Sequence, residues 1–130
     1  MNSTDFIIFY EKYALYRLAE HLKIPINDIR HVSQVNIISP HDLEIGETKY
    51  DVKVSSPVLT GKTKTQRIWD FNLRKGNRRR AKQNESDYYV LVGMKNGIPS
   101  KVFLVPSSAL PGTHVRISIV GISKYHIFEI

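Results

Sequence analysis

Cysteine is absent from all 130 residues. That excludes a disulfide framework, Cys-ligated zinc, Fe–S clusters and thiol catalysis. Long apolar runs are absent too, the longest being five residues, far short of the roughly 20 that span a bilayer. No signal-peptide pattern precedes the first helical stretch, so a soluble, cytoplasmic protein is expected, with no membrane partner. Seven glycines and six prolines form no low-complexity tract, and no repeat recurs. One α/β domain over residues 1–130 is the expectation, large enough for a single core.

Acidic residues are scarce: 12 against 19 Lys plus Arg, for a net charge of +7. The excess is local. Between Lys62 and Lys82 stand nine bases and one acid, Asp70, for a net +8, while the other ten bases and eleven acids net −1. The bases are Lys62, Lys64, Arg67, Arg74, Lys75, Arg78, Arg79, Arg80 and Lys82. A near-neutral body with one cationic segment is the footprint of a polyanion binder, and DNA is the expected partner. A solvated face is the bland alternative, but such faces normally mix their signs.

Apolar residues at Ile7, Tyr10, Ala14, Leu15, Leu18 and Leu22 recur at three and four, which predicts a helix from Asp5 to Lys23 ended by Pro25. From Val35 the period changes to two, predicting strands until Val54. Short strands are expected over Ile68–Leu73, Tyr88–Val92, Lys101–Val105, Val115–Val120 and Tyr125–Ile130, with a turn over Gly93–Gly97. The basic residues after the first of these form a loop or a cationic helix.

The segment His41–Val54 carries the chemistry. Gly46-Glu47 suits a two-residue type II′ hairpin turn, so that partners sum to 93 and Glu44 faces Lys49, Leu43 faces Tyr50 and Asp42 faces Asp51. Alternation then turns Leu43, Ile45, Tyr50, Val52 and Val54 to the core and Asp42, Glu44, Lys49, Asp51 and Lys53 the other way. Two facing aspartates repel, and a divalent cation between them would reverse the sign. Mg²⁺ commonly uses one or two carboxylates and keeps several waters. Neutralisation by neighbouring lysines is the competing account.

Asp42, closely preceded by Pro40 and then His41, followed on the next strand by Asp51-Val52-Lys53, resembles the signature of the PD-(D/E)XK nuclease superfamily. The order of the elements from residue 5 to 106 is similar as well, beginning with a helix that bears Glu11. The resemblance implies a restriction-endonuclease-like mixed central sheet flanked by helices. It also implies Mg²⁺, with Mn²⁺ able to substitute, held by Asp42, Asp51 and the Val52 carbonyl. Lys53 would position or activate water, and Glu11 would join the metal's shell. The implied activity is DNA endonuclease, site-specific in the restriction or homing manner, leaving 5′-phosphate and 3′-hydroxyl ends. A homodimer or higher symmetric oligomer would supply one site per strand. The alternatives are a non-catalytic nucleic-acid-binding module and a Holliday-junction-resolvase-type nuclease.

Other residues point less far. His21, His31, His41, His114 and His126 show no ligand spacing and suit surface or core roles. Glu20 falls on a different helical face from Glu11. Trp69 and Phe71 suit the core, with base stacking the alternative. Gln66 and Asn72 suit loop capping, with adenine recognition the alternative.

Overall fold

The computed structural model describes residues 3–32, 42–60, 66–72, 86–109, 116–120 and 124–130. Helix α1 (Ser3–Leu22) is followed by a 3-10 turn (Ile26–Asp28), β1 (Arg30–His31), β2 (Leu43–Ile45), β3 (Thr48–Ser55) and β4 (Pro57–Thr60). Then come β5 (Gln66–Asn72), β6 (Tyr88–Lys95), β7 (Ile98–Pro106), β8 (Arg116–Val120) and a final 3-10 turn (Lys124–Phe128). The result is a mixed α/β fold, an N-terminal helix followed by a five-stranded mixed sheet of order β1-β2-β3-β6-β7. All neighbours in that sheet are antiparallel except β3 and β6, which run parallel. Strands β4, β5 and β8 form a second, antiparallel sheet.

Helix α1 ends as its sequence directs. Lys23 takes a left-handed φ of +57°, and the Ile24 N–H bonds to the Ala19 carbonyl at 3.1 Å, the Schellman closure of a helix C-terminus. Pro25 then prevents its resumption. Tyr10, Ala14 and Leu18, spaced by four, are buried, whereas Phe9 and Tyr16 on the opposite side are half exposed.

Alternation along β6 divides the core in two. Val90, Val92 and Met94 join Leu43, Tyr50, Val52 and the buried face of α1. Tyr89 and Leu91 face the other way, with Phe103, Val105, Phe71, Tyr125 and the partly buried Trp69. Strand β6 is thus covered on both faces, which is why it reads as a continuous apolar run. Each such fully buried aliphatic or aromatic side chain stabilises the fold by about 1.5–3 kcal/mol. The helix covers one face only. On the other, residues of β5 from the second sheet pack against β6 and β7.

Two expectations are corrected. Strand β6 continues through Gly93 to Lys95 and turns at Asn96-Gly97 alone, both with positive φ, the type I′ pair that suits a two-residue hairpin. Tyr125–Ile130 is mostly a 3-10 turn, with one bridge from Glu129 to Phe103. Tyr125 and Phe128, three apart, both reach the second cluster, and a three-residue period serves that contact where a two-residue period would not. The strand expected at Val35 falls at residues outside the described ones, as does most of the basic window; Arg67 lies on β5. No helix among the described residues is long and apolar enough to cross a membrane.

Tyr50 stacks on Tyr88 across the parallel pair, with ring centroids 5.3 Å apart. Burial, then the neighbouring Tyr88 and Asp87, raise the Tyr50 phenol above the ordinary tyrosine value. A phenol held protonated by folding leaves stability intact below about pH 10 and withdraws it as pH rises through the raised value. Urea melts of the parent should therefore weaken above that pH, and Tyr50→Phe should flatten the decline. An alkaline limb identical in the two proteins would assign it to other groups.

Candidate functional site

The β2–β3 hairpin has the register expected from its turn. Ile45 pairs with Thr48, Glu44 with Lys49 and Leu43 with Tyr50, and Gly46 has φ +56°, the sign required at the first central position of a type II′ turn. Leu43, Tyr50 and Val52 are buried in the core on the helix side. The Glu44 carboxylate bonds to Arg30 on β1, its register partner there.

Asp42 ends the ladder instead of extending it. Its N–H bonds to the Tyr50 carbonyl at 3.0 Å, and its Oδ2 accepts the Val52 N–H at 2.8 Å. The side chain thus satisfies a β3 amide that a further residue of β2 would otherwise take. Asp51 is 2% exposed, and Lys53 Nζ lies 3.7 Å from its Oδ2. These two share the face of β3 opposite Tyr50 and Val52. Each aspartate of the hairpin therefore has its own compensation, one from a backbone amide and one from an ammonium group.

Glu11 stands elsewhere. It is buried on α1, and its Oε1 lies 2.7 Å from His31 Nε2. His31 pairs in register with Leu43, so this dyad sits on the helix side of the sheet while Asp51 lies on the other. Among the described residues no three His, Asp or Glu side chains are grouped so as to hold a metal. Glu11 is thus paired with His31 on the helix side of the sheet. Asp42, Asp51 and the Val52 carbonyl offer oxygen donors only, the chemistry taken by a hard cation that retains waters.

Asp87 carries no sequence signal of its role. Its Oδ2 accepts the Lys49 N–H at 2.8 Å and its own N–H bonds to the Lys49 carbonyl, which fixes β3 against β6 at the end where both begin. Trp69 and Phe71 take the core role: Phe71 is fully buried, and the Trp69 ring packs edge-on to Phe103 with centroids 6.2 Å apart. Lys62, Lys64, Arg74, Lys75, Arg78, Arg79, Arg80 and Lys82 lie outside the described residues.

The fold and the hairpin define a mixed α/β protein with an aspartate just before β2 bonded to β3 and an aspartate–lysine pair on β3. No family model, no curated protein and no solved structure matches the chain.

Proposed function

We propose that this chain is a Mg²⁺-dependent DNA endonuclease with a restriction-endonuclease-like core, acting as a symmetric homodimer and leaving 5′-phosphate and 3′-hydroxyl ends. The observation that carries the reading is the Lys53–Asp51 pair at 3.7 Å on the strand whose Val52 amide holds Asp42. Asp42, Asp51 and the Val52 carbonyl would hold the ion, which when bound would supply charge neutralisation at the scissile phosphate. Lys53 would donate to a phosphate oxygen or orient the attacking water, and Asp51 would keep that ammonium in place. The +8 segment from Lys62 to Lys82 would bind the phosphate backbone. Symmetry would supply the second site needed to cut both strands.

One observation favours a second reading, a nucleic-acid-binding module without chemistry. Asp51 is 2% exposed and the Asp42 carboxylate already serves a backbone amide, as expected of acids that only complete a strand pair. Incubating a randomised plasmid pool with Mg²⁺, Mn²⁺ or Ca²⁺ and sequencing the product ends separates the two. The nuclease reading expects scission with Mg²⁺ and Mn²⁺ and binding alone with Ca²⁺. Intact DNA in every arm sinks it.

Binding has its own test. Each neutralised phosphate contributes about −0.9 to the slope of log K against log salt. With about half of Arg67, Arg74, Lys75, Arg78, Arg79 and Arg80 engaged, a slope of roughly −3 to −5 per subunit is expected. Replacing Arg78, Arg79 and Arg80 together by Ala should weaken binding to every sequence and flatten the slope, yet spare single-turnover cutting at saturating DNA. Unchanged affinity and slope in fluorescence anisotropy would make the segment a solvated loop.

A further inference from the structure

Besides their shared apolar cluster, the two sheets are fastened together by a small polar junction beside the proposed site. Ser55, the last residue of β3, pairs with Gly93 on β6 and is 7% exposed. Its Oγ accepts the Asp70 N–H from β5 at 2.9 Å and donates to the Ser56 carbonyl at 2.9 Å. The preceding residue of β5, Trp69, lies against Gly93 so closely that a Cβ there would stand 2.5 Å from its ring. The Trp69 indole Nε1–H donates to the Met94 carbonyl at 2.8 Å. Strand β5 is therefore anchored on β3 by a hydroxyl, and on β6 by a bond and a close approach.

This junction lies where binding and cutting must be brought into register. Asp51, Lys53 and Ser55 alternate along β3 and share a face, with Ser55 only about 7 Å beyond Lys53 at the ordinary strand rise. Strand β5 is the chain's link between Lys62 and Lys64 on one side and Arg74 to Lys82 on the other. A duplex held by Arg67, which lies on β5 itself, would be placed relative to Lys53 through that strand. A shift of β5 on β3 would move the scissile phosphate against the Lys53 ammonium. An error of about 1 Å in such a placement can cost up to a hundredfold in rate.

Resting on the nuclease reading, we infer that Ser55 is a positioning residue for cleavage: its hydroxyl sets where β5, and with it the bound DNA backbone, stands relative to Asp51 and Lys53. Ser55 is not among the residues proposed to meet phosphate or metal; its hydroxyl is bonded to Asp70 and Ser56. Its effect belongs in the rate and position of cutting, not in affinity.

The test uses an end-labelled duplex containing a site that the parent cuts, at saturating protein and in single turnover, beside anisotropy in Ca²⁺ and a thermal melt. Ser55→Ala should cut about tenfold more slowly and spread its cuts over neighbouring phosphodiesters, with DNA affinity unchanged. Ser55→Thr, which keeps the hydroxyl, should restore both rate and position. If Ser55→Ala fails to fold, Trp69→Phe removes the indole bond at the same junction and should spread the cuts in the same way. Parent rate and parent cut position in a folded Ser55→Ala would overturn the inference while leaving the nuclease reading intact. So would a slower rate that merely follows the lost folded fraction with the cut position unchanged. A parent that cleaves no DNA would overturn the nuclease reading, and this inference with it.

Discussion

Asp51→Asn is expected to lower Mg²⁺-dependent cleavage about a thousandfold, the scale on which removal of one preorganised charge at a reacting centre is felt. Asparagine is nearly isosteric with aspartate, so the change removes charge and leaves shape. That matters because Asp51 is 2% exposed and paired with Lys53. Asp51→Ala would lose the same chemistry, but it would also open a gap beside the ammonium. Removing one partner of a buried pair can cost about 3–5 kcal/mol, a figure to be discounted here because Lys53 is partly solvated. Lys53→Ala should reduce cutting on a similar scale with a smaller effect on stability, its side chain being 18% exposed. Asp42→Asn is the informative contrast. An amide oxygen can still accept the Val52 N–H, so the ladder closure should survive while the negative charge is lost. Circular dichroism and a thermal melt establish folding, and single-turnover cleavage at saturating DNA reads the chemistry. A folded Asp51→Asn protein that cuts at the parent rate means the acids are purely structural, and the activity, if present, resides elsewhere.

The hairpin was the most legible part of this chain because its information is local. Alternation from Leu43 to Val54 fixes the faces, Gly46 fixes the turn, and the two together leave one register. That register ends at Leu43–Tyr50, since the Asp42 carboxylate takes the amide that a backbone carbonyl would have taken, a substitution that binary patterning does not encode. The Glu11–His31 pair was not legible. It depends on β1 docking beside β2, and a two-residue strand has no period to read. Acid on a helix and histidine near a turn are common features whose meeting is a tertiary event. The second sheet was hidden for a related reason: Trp69 and Phe71 announce burial but not against what. Gly93 misled in the same way, as glycine inside an apolar run ordinarily signals a turn. Here the turn belongs to Asn96-Gly97, and Gly93 serves the packing of a side chain from another strand.

Gly93→Ala should destabilise the fold by about 1–3 kcal/mol, the usual cost of overpacking, and Gly93→Val by more. Local propensity argues the opposite, since glycine weakens a strand interior and a β-branched residue favours it by up to about 1 kcal/mol. Geometry decides between them. A Cβ on Gly93 would lie 2.5 Å from Trp69 Cε2, 2.6 Å from Cδ2 and 2.9 Å from Cε3, separations that no ordinary contact accommodates. The ring is poorly placed to yield. Its Nε1–H is committed to the Met94 carbonyl at 2.8 Å and its edge meets Phe103, so turning it breaks a hydrogen bond and disturbs the second cluster together. The backbone is equally constrained, because Gly93 pairs with Ser55 on one side and Lys101 on the other. The ladder to β7 shifts by one residue directly after it. Gly93→Ala in a Trp69→Phe background separates the two contributions, since the smaller ring returns space at the same spot. Urea denaturation should show coupling between the two changes, with the Gly93→Ala penalty reduced when the indole is gone. Equal penalties in both backgrounds would mean that the cost arises from strand geometry and not from the ring, and the tight contact between the sheets would then be energetically idle.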